Sequence, residues 1–585
     1  MSGTSASASS ATSAARSLRR TSTTRPTACA TARASPRTPS PPSTPPSRAK
    51  AATVRPSRTS SWGASSLVSQ AEKKAGISTG VQLGGRIALR TASSPSAVRA
   101  TKTTDTGRSC PYPQAVHTMT GLDASFLYFE TPSMHMHVVG TIVVDASQAE
   151  GWGPARVREL LRERLHLIAP FRQRLQQSTL RLHHPMWIDV DTVDVDRHLS
   201  SVTCPAPGTD AELGEVVAEF AGTQLDRSRP LWEVLVVEGL ERGRAAIVIK
   251  VHHSTVDGVG AANVLGALFD LEPGGRSEQQ IADLRALQEA THRPHPSLAS
   301  QVVHTATGVV TRPLALAKLV PTAARSVSRL VSTRRQESTG GGGAVPFVAP
   351  RAPFNGRISP RRVVAFADIP VADVKAVKSA LGGTFNDVVI ALCGGAFRSY
   401  LAARDELPSS SLIAVCPVSV RTDSTAGNAV SAMFTTLATD HEDPLERYAA
   451  VRRANDVGKA DHQAVGGDLL VQAAEIAPPN TISFLARMYS TMRMANLHPV
   501  VHNVIISNIP GPPIQIYFCG APIEAMYPLG PVLEGPALNV TVVSYRDRVG
   551  FGFIGCAHRI PDLADLAAAV PGALDELLGA AKASA

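Results

Sequence analysis

Ala245-Ala246-Ile247-Val248-Ile249-Lys250-Val251-His252-His253-Ser254-Thr255-Val256-Asp257-Gly258 is the stretch on which the fold turns. Residues 245–251 are apolar and rich in β-branched side chains, the pattern of a buried strand. Two histidines stand where that strand runs out. Asp257-Gly258 follows, and residues 259–269 then carry apolar side chains at helical spacing, with Asp257 placed as an N-cap. A strand-loop-helix corner of this kind holds side chains rigidly at the mouth of a cleft. Adjacent residues at a strand end point to opposite faces, so His252 and His253 are expected to divide, one into the cleft and one into packing. A neutral imidazole with a pKa near ~6.5 is a natural proton acceptor at cellular pH. Asp257, four residues after His253, is placed to orient the ring or to brace the loop against an arginine elsewhere. Three readings stand side by side: a catalytic base, a packed histidine beside a capping aspartate, and a metal site. The metal reading lacks a further ligand cluster nearby in sequence.

With 585 residues the chain has room for two or more domains with large cores. Its formal net charge of +10 invites a nucleic-acid reading. Residues 1–70, however, hold ten Lys or Arg and no acidic residue, which leaves 48 basic against 48 acidic residues in the remainder. The basic balance therefore belongs to the leader, and no nucleic-acid partner is expected. Seven cysteines (Cys29, Cys110, Cys204, Cys393, Cys416, Cys519, Cys556) are scattered without a Cys-x-x-Cys pair. That suits a reducing cytosol better than a disulfide scaffold or a zinc ribbon. No run approaches the ~18 apolar residues that span a bilayer, so any membrane contact is expected to be peripheral.

Residues 1–115 read as a disordered, low-complexity leader of Ser, Thr, Ala, Pro and Arg, too poor in large apolar residues to offset ordering entropy. The acid-poor composition is that of a transit peptide without a clear amphipathic stretch. A start codon placed too far upstream, with translation beginning at Met119, accounts for it equally well. Mass spectrometry of the natively expressed protein decides: peptides from upstream of residue 110 would end that idea.

An α/β layer domain is expected over residues 117–289. Its strands are read at 135–144, 187–190 and 230–237, its helices at 157–167 and 213–225, and Arg242-Gly243 turns the chain into the histidine strand. His135 and His137 share one face, read as an exposed strand face in preference to a metal pair. Residues 290–357 read as a basic linker. From 290 to 367 eleven Lys or Arg are interrupted by one acidic residue, Glu337, and Gly340 to Gly343 form a flexible joint. Within it, residues 314–330 suit either plain connection or a surface helix drawn to anionic lipid. A second α/β domain is expected over 358–585. It has strands at 362–366, 412–420 and 500–507, helices at 371–381 and 388–402, and a hairpin around Arg546-Asp547-Arg548.

His252-His253-Ser254-Thr255-Val256-Asp257-Gly258 matches the HHxxxDG signature of the chloramphenicol-acetyltransferase-like acyltransferases. Further blocks resemble one branch, the bacterial wax ester synthase/diacylglycerol acyltransferase family. They are Leu122-Asp123-Ala124-Ser125-Phe126-Leu127, Pro230-Leu231-Trp232, Asn386-Asp387-Val388-Val389-Ile390-Ala391, Pro417-Val418-Ser419-Val420-Arg421 with Gly427-Asn428, Ser507-Asn508-Ile509-Pro510-Gly511-Pro512 and Leu538-Asn539-Val540-Thr541. The match runs in order from about residue 119 to the C-terminus and leaves out the leader. The Asp-Phe-Gly-Trp-Gly of plant-type relatives is absent.

The resemblance implies two chloramphenicol-acetyltransferase-like α/β layer domains with a tunnel between them. Acyl-CoA, as co-substrate, and a diacylglycerol or fatty alcohol acceptor would meet there at His253, the general base, with no cofactor and no metal. His252, Asp257 and Gly258 complete the motif, with Asp257 holding the loop and Arg421 as its partner. Asn386, Ser507 and Asn508 are candidate oxyanion donors or, alternatively, capping and turn residues. Pro230-Leu231-Trp232 is expected to pack behind the site. The product would be triacylglycerol or wax ester, and the location the cytoplasmic face of the membrane or a lipid droplet surface. A non-catalytic relative that coats lipid inclusions is the alternative, as is an acyltransferase of the same superfamily with another acceptor. A peptide-synthetase condensation domain is disfavoured because no carrier-protein domain accompanies it.

Overall fold

The computed structural model describes residues 116–177, 184–255, 264–291, 347–419, 430–465 and 479–584. All of them belong to one compact unit, Gly107–Ala585. The leader, nearly all of the basic linker, Asp257, Gly258 and Arg421 lie outside the described residues.

The β-branched run at 245–251 forms the strand Arg244–His252, buried from Ala245 through His252. It lies inside a six-stranded sheet whose order is Tyr517–Phe518, Ala521–Leu529, His137–Asp145, Arg244–His252, Trp232–Glu238, Leu199–Thr203. A strand covered on both faces can be apolar at every position, and this one is interrupted only by Lys250. The Lys250 ammonium is fully buried, paired with Glu233 at 2.9 Å and bonded to the carbonyls of Phe220 and Thr223. Those carbonyls belong to the C-terminal end of the helix Asp210–Ala221 and the turn after it, so the lysine pins that helix to the sheet.

The second sheet also has six strands, in the order Val430–Thr436, Ile413–Ser419, Val504–Pro510, Leu538–Tyr545, Arg548–Cys556, Arg362–Pro370. Leu538–Tyr545 and Arg548–Cys556 form the expected hairpin, closed by Arg546-Asp547 with Arg546 at φ 52°. The helix Phe385–Ala402 is buried on every side from Val388 to Phe397, because the sheet and the helices Pro444–Val465 and Leu563–Ser584 enclose it. Thr384 caps it: its hydroxyl accepts from the Asp387 amide, while the Asp387 carboxylate accepts from the Thr384 amide at 2.7 Å.

A boundary at residue 358 does not divide the sheets. Ala521–Leu529, from the second half of the sequence, pairs antiparallel with His137–Asp145 in the first sheet. It passes hard against the second sheet as well. A Cβ added to Gly552 would lie 2.2 Å from the Pro528 carbonyl oxygen, and one on Gly550 would lie 2.5 Å from that of Met526. Only glycine permits this approach.

Two expectations are corrected. His135 and His137 do not line an exposed face. They are 3% and 4% accessible, with Nε2 bonded to the carbonyls of Pro132 and Ala221, because the end of Asp210–Ala221 covers them. The strand placed at 500–507 runs instead from Val504 to Pro510, since pairing with Leu538–Tyr545 carries Asn508-Ile509-Pro510 into the ladder. Among the described residues, no group of three or more His, Cys, Asp or Glu is placed to hold a metal ion. The five described cysteines are free and buried.

Candidate active site

His252 is the last residue of its strand, opposite His137 in the neighbouring one, and a turn begins at His253, where the Thr255 amide bonds the His252 carbonyl. The alternation that would separate the two rings ends with the extended backbone. Both rings instead meet the helix Gly121–Phe129 and its cap. His253 stacks on Phe126 with ring centroids 4.2 Å apart, and His252 faces Glu130, four residues further on. The expected split into cleft and packing survives in burial: His252 is 1% accessible, whereas His253 is half-buried and keeps exposed surface.

His252 is locked. The Ser254 amide donates to its Nδ1 at 3.2 Å, and the Ser254 hydroxyl lies 2.7 Å from the same atom. An Nδ1 that accepts leaves the ring proton on Nε2, which faces the Glu130 carboxylate at 3.8 Å. The Glu130 side chain is 5% accessible and is gripped by Arg227, whose Nε donates at 3.1 Å and whose Nη2 closes the pair and also bonds the Leu127 carbonyl. Burial works to raise the Glu130 pKa, but His252 and Arg227 together outweigh it and hold the carboxyl down at about 2. Burial lowers the His252 pKa, against the pull of Glu130. Burial desolvates His253 and pushes its pKa down to about 4. It is therefore a neutral imidazole at cellular pH, able to take a proton without first losing one.

The segment after the motif is fastened separately. Arg164, 4% accessible on its side chain, donates to the carbonyl of Leu268 at 2.9 Å and pairs with Asp270 at 2.8 Å. Arg276 meets the same carboxylate at 3.3 Å. Residues 264–268 are helical, so the guanidinium stands at the C-terminal end of that helical stretch.

Pro230-Leu231-Trp232 packs behind the histidines, as expected of it. The His252 amide bonds the Leu231 carbonyl at 3.0 Å. Trp232 is fully buried between Phe171 and His198, with Nε1 donating to the Phe171 carbonyl at 2.9 Å.

Asn386 and Asn508 meet each other: Asn508 Nδ2 donates to Asn386 Oδ1 at 3.4 Å, linking the first turn of the enclosed helix to the strand Val504–Pro510. Capping falls to Thr384 and Asp387, so the Asn386 amide is left for another task. Asn508 shares its strand face with Val504 and Ile506, which are in the core, and Ser507 takes the other face. The two adjacent candidates therefore do not converge on one point. The sequence gives no role to Glu130, Arg227, Phe126 or Ser254, which the structure brings to the two histidines. Ser254 lies inside the motif, and Phe126 and Glu130 sit in or just after the opening block. Nothing local ties Arg227 to a residue 97 positions away.

Two family models match this chain: the wax ester synthase/diacylglycerol acyltransferase catalytic domain over residues 119–389, and the C-terminal domain of the same family over residues 426–578. A Mycobacterium tuberculosis protein provisionally named diacylglycerol O-acyltransferase is 37% identical over 471 residues, covering 79% of this chain and 90% of the relative. A Mycobacterium bovis protein with the same name is 33% identical over 478 residues, covering 80% and 91%. The solved structure of a wax ester synthase/diacylglycerol acyltransferase from Marinobacter aquaeolei VT8 aligns with a TM-score of 0.58 at 28% identity, covering 80% of this chain and 100% of that one.

Proposed function

The chain belongs to the wax ester synthase/diacylglycerol acyltransferase family, and from that premise we propose that it moves a long-chain acyl group from acyl-CoA to the hydroxyl of diacylglycerol or of a long-chain alcohol. It is an acyltransferase whose two α/β layers carry the chloramphenicol-acetyltransferase-like architecture. The observation that carries the reading is the unequal fate of the two histidines: one locked and sealed, the other neutral, half-buried and set at the tip of an interior strand.

In the proposed reaction a ring nitrogen of His253 takes the proton of the acceptor hydroxyl. The oxygen attacks the thioester carbonyl carbon, a C–O bond forms, the C–S bond breaks, and the imidazolium returns its proton to the CoA thiolate. No acyl-enzyme and no cofactor is needed. A positioned base supplies about 10²–10⁴-fold of rate. Ser254, His252, Glu130 and Arg227 hold the corner from which His253 projects. The Asn386–Asn508 pair is the proposed oxyanion donor, since the bond between the two amides orients the remaining N–H groups; Ser507 has the weaker claim.

Peripheral attachment at the cytoplasmic face of a membrane or at a lipid inclusion suits substrates and products of this kind. No single helix among the described residues is long and apolar enough to cross a membrane. One bent pair, Val371–Leu381 with Phe385–Ala402, passes on length and composition, and its second helix is enclosed in the core.

The test is the full-length protein with labelled palmitoyl-CoA and either diacylglycerol or hexadecanol. Ester formed by the wild type, with a loss of about 10²–10⁴-fold in His253→Ala, is the expected result. Equal rates from both would remove His253 from the mechanism, and no ester from the wild type with any acceptor would leave the lipid-coating reading standing.

A further inference from the structure

We propose that the helix Pro479–Thr491, with the turn Met494–Asn496 that follows it, is the surface by which this protein docks on a phospholipid membrane. The helix has two faces. Its inner face is tied into the protein: Ile482 packs on the small core beneath Gly121–Phe129, Tyr489 bonds His498 at 2.5 Å, and Ser490 donates to Glu534 at 2.7 Å. Its outer face carries Phe484, Leu485, Met488 and Met492, and Leu497 stands just beyond, at 65%, 49%, 39%, 57% and 74% accessible. Twelve large apolar residues are exposed among the described residues, and five of them fall within these fourteen positions. At a helical rotation of about 100° per residue, 484, 485, 488 and 492 span an arc of about 100°, the width of a full buried stripe. Among the described residues, nothing covers it.

Charge argues for the occupant. From Ile476 to Ile523 the sequence contains no aspartate or glutamate. Arg487 and Arg493, both exposed, flank the apolar arc, and Arg351 reaches the same turn through the His498 carbonyl. An apolar arc flanked by arginines, in a segment that carries no acidic residue of its own, fits acyl chains beneath anionic headgroups. The choice of a lipid surface rests on the proposed reaction in one respect: its acceptor and product are themselves dissolved in membrane.

The experiment uses the full chain with Phe484→Trp as a reporter and vesicles of phosphatidylcholine, alone or mixed equally with phosphatidylglycerol. On phosphatidylcholine alone the basic leader has no anionic partner, so the signal belongs to the helix. The added tryptophan is expected to shift to the blue on vesicles and to be quenched by brominated acyl chains. Leu485→Ser with Met488→Ser and Met492→Ser is expected to weaken vesicle affinity on the order of a hundredfold. Arg487→Glu with Arg493→Glu should reduce it only on the vesicles that contain phosphatidylglycerol. Thermal melting and gel filtration confirm that the variants remain folded. Ester formation with a water-soluble short-chain alcohol is expected to stay at the wild-type rate in both variants. Its loss in the wild type would count against the acyl-transfer reading and leave the docking surface intact. An unquenched tryptophan, or a triple-serine variant that binds vesicles as tightly as the wild type, overturns the proposal. So does a wild-type dimer that the triple-serine change makes monomeric, because the face would then belong to a second copy of the chain.

Discussion

Replacing Glu130 with glutamine removes one negative charge from the floor of the histidine corner and changes almost nothing in size. The carboxylate is 5% accessible on its side chain, so water does not screen what it does. Its pKa, held at about 2 against an ordinary 4.5, corresponds to a stabilisation of about 3 kcal/mol for the ionised form. Breaking a buried ion pair gives an independent figure of about 3–5 kcal/mol. Two features place the outcome at or below the low end. Arg227 is 35% accessible on its side chain and regains water, and the glutamine carbonyl still accepts one neutral bond from it. The expected loss is therefore about 2–3 kcal/mol, read from urea denaturation at neutral pH. His252 Nε2–H loses the anion it faces, so His253 next to it is held less firmly, and kcat should fall by about tenfold with KM little changed. As pH falls from 4.5 towards 2 the wild type loses the same stabilisation by protonation, so the two proteins should converge in stability there. A Glu130→Gln protein within about 0.5 kcal/mol of the wild type and with undiminished kcat would refute the idea that this carboxylate organises the corner.

Burial pushes His253 and His502 down to about 4, and lowers His135, His137, His198 and His252 as well. The folded state binds these protons more weakly than the unfolded one, so stability is full above ~6.5 and falls as pH drops below it, for His253 and His502 down to about 4 and by about 1.4 kcal/mol per pH unit for each of those two. Urea midpoints measured between about pH 7 and about pH 5 check this, and a flat profile would contradict it. Gly394→Ala would bring a Cβ to 2.2 Å from the Leu437 carbonyl inside the second core, and should cost about 1–3 kcal/mol and lower the melting temperature. Arg164→Met strips Asp270 of its nearer partner and, among the described residues, leaves Arg276 at 3.3 Å, so a loss of about 2–3 kcal/mol is expected. Its kcat should fall at temperatures well below melting, because the segment after the motif loosens, and unchanged kinetics would show that segment to be structural only.

The histidine strand, the helix Val371–Leu381 and the hairpin at Arg546-Asp547 were legible because each is decided by neighbours in sequence: a β-branched run, a 3.6-residue period ended by Gly382-Gly383, and a two-residue turn. Asn386 and Asn508 were legible as residues, not as partners. The exposed face of Pro479–Thr491 is illegible in the sequence for a related reason. Its apolar residues are those of an ordinary amphipathic helix, and sequence does not say which side the protein will cover.

What the sequence determined by itself is the pair of histidines at a strand end, the alternation of strands and helices, and the family, since all three are written in contiguous blocks. What only the tertiary structure decided is how those blocks close on one another. Ala521–Leu529 crosses into the first sheet, and Arg227 reaches Glu130 over 97 positions. A buried charge draws its partner from wherever the fold brings one, and desolvation, which sets the pKa of His253, is a property of everything packed around the ring. Neither can be read from the residues on either side.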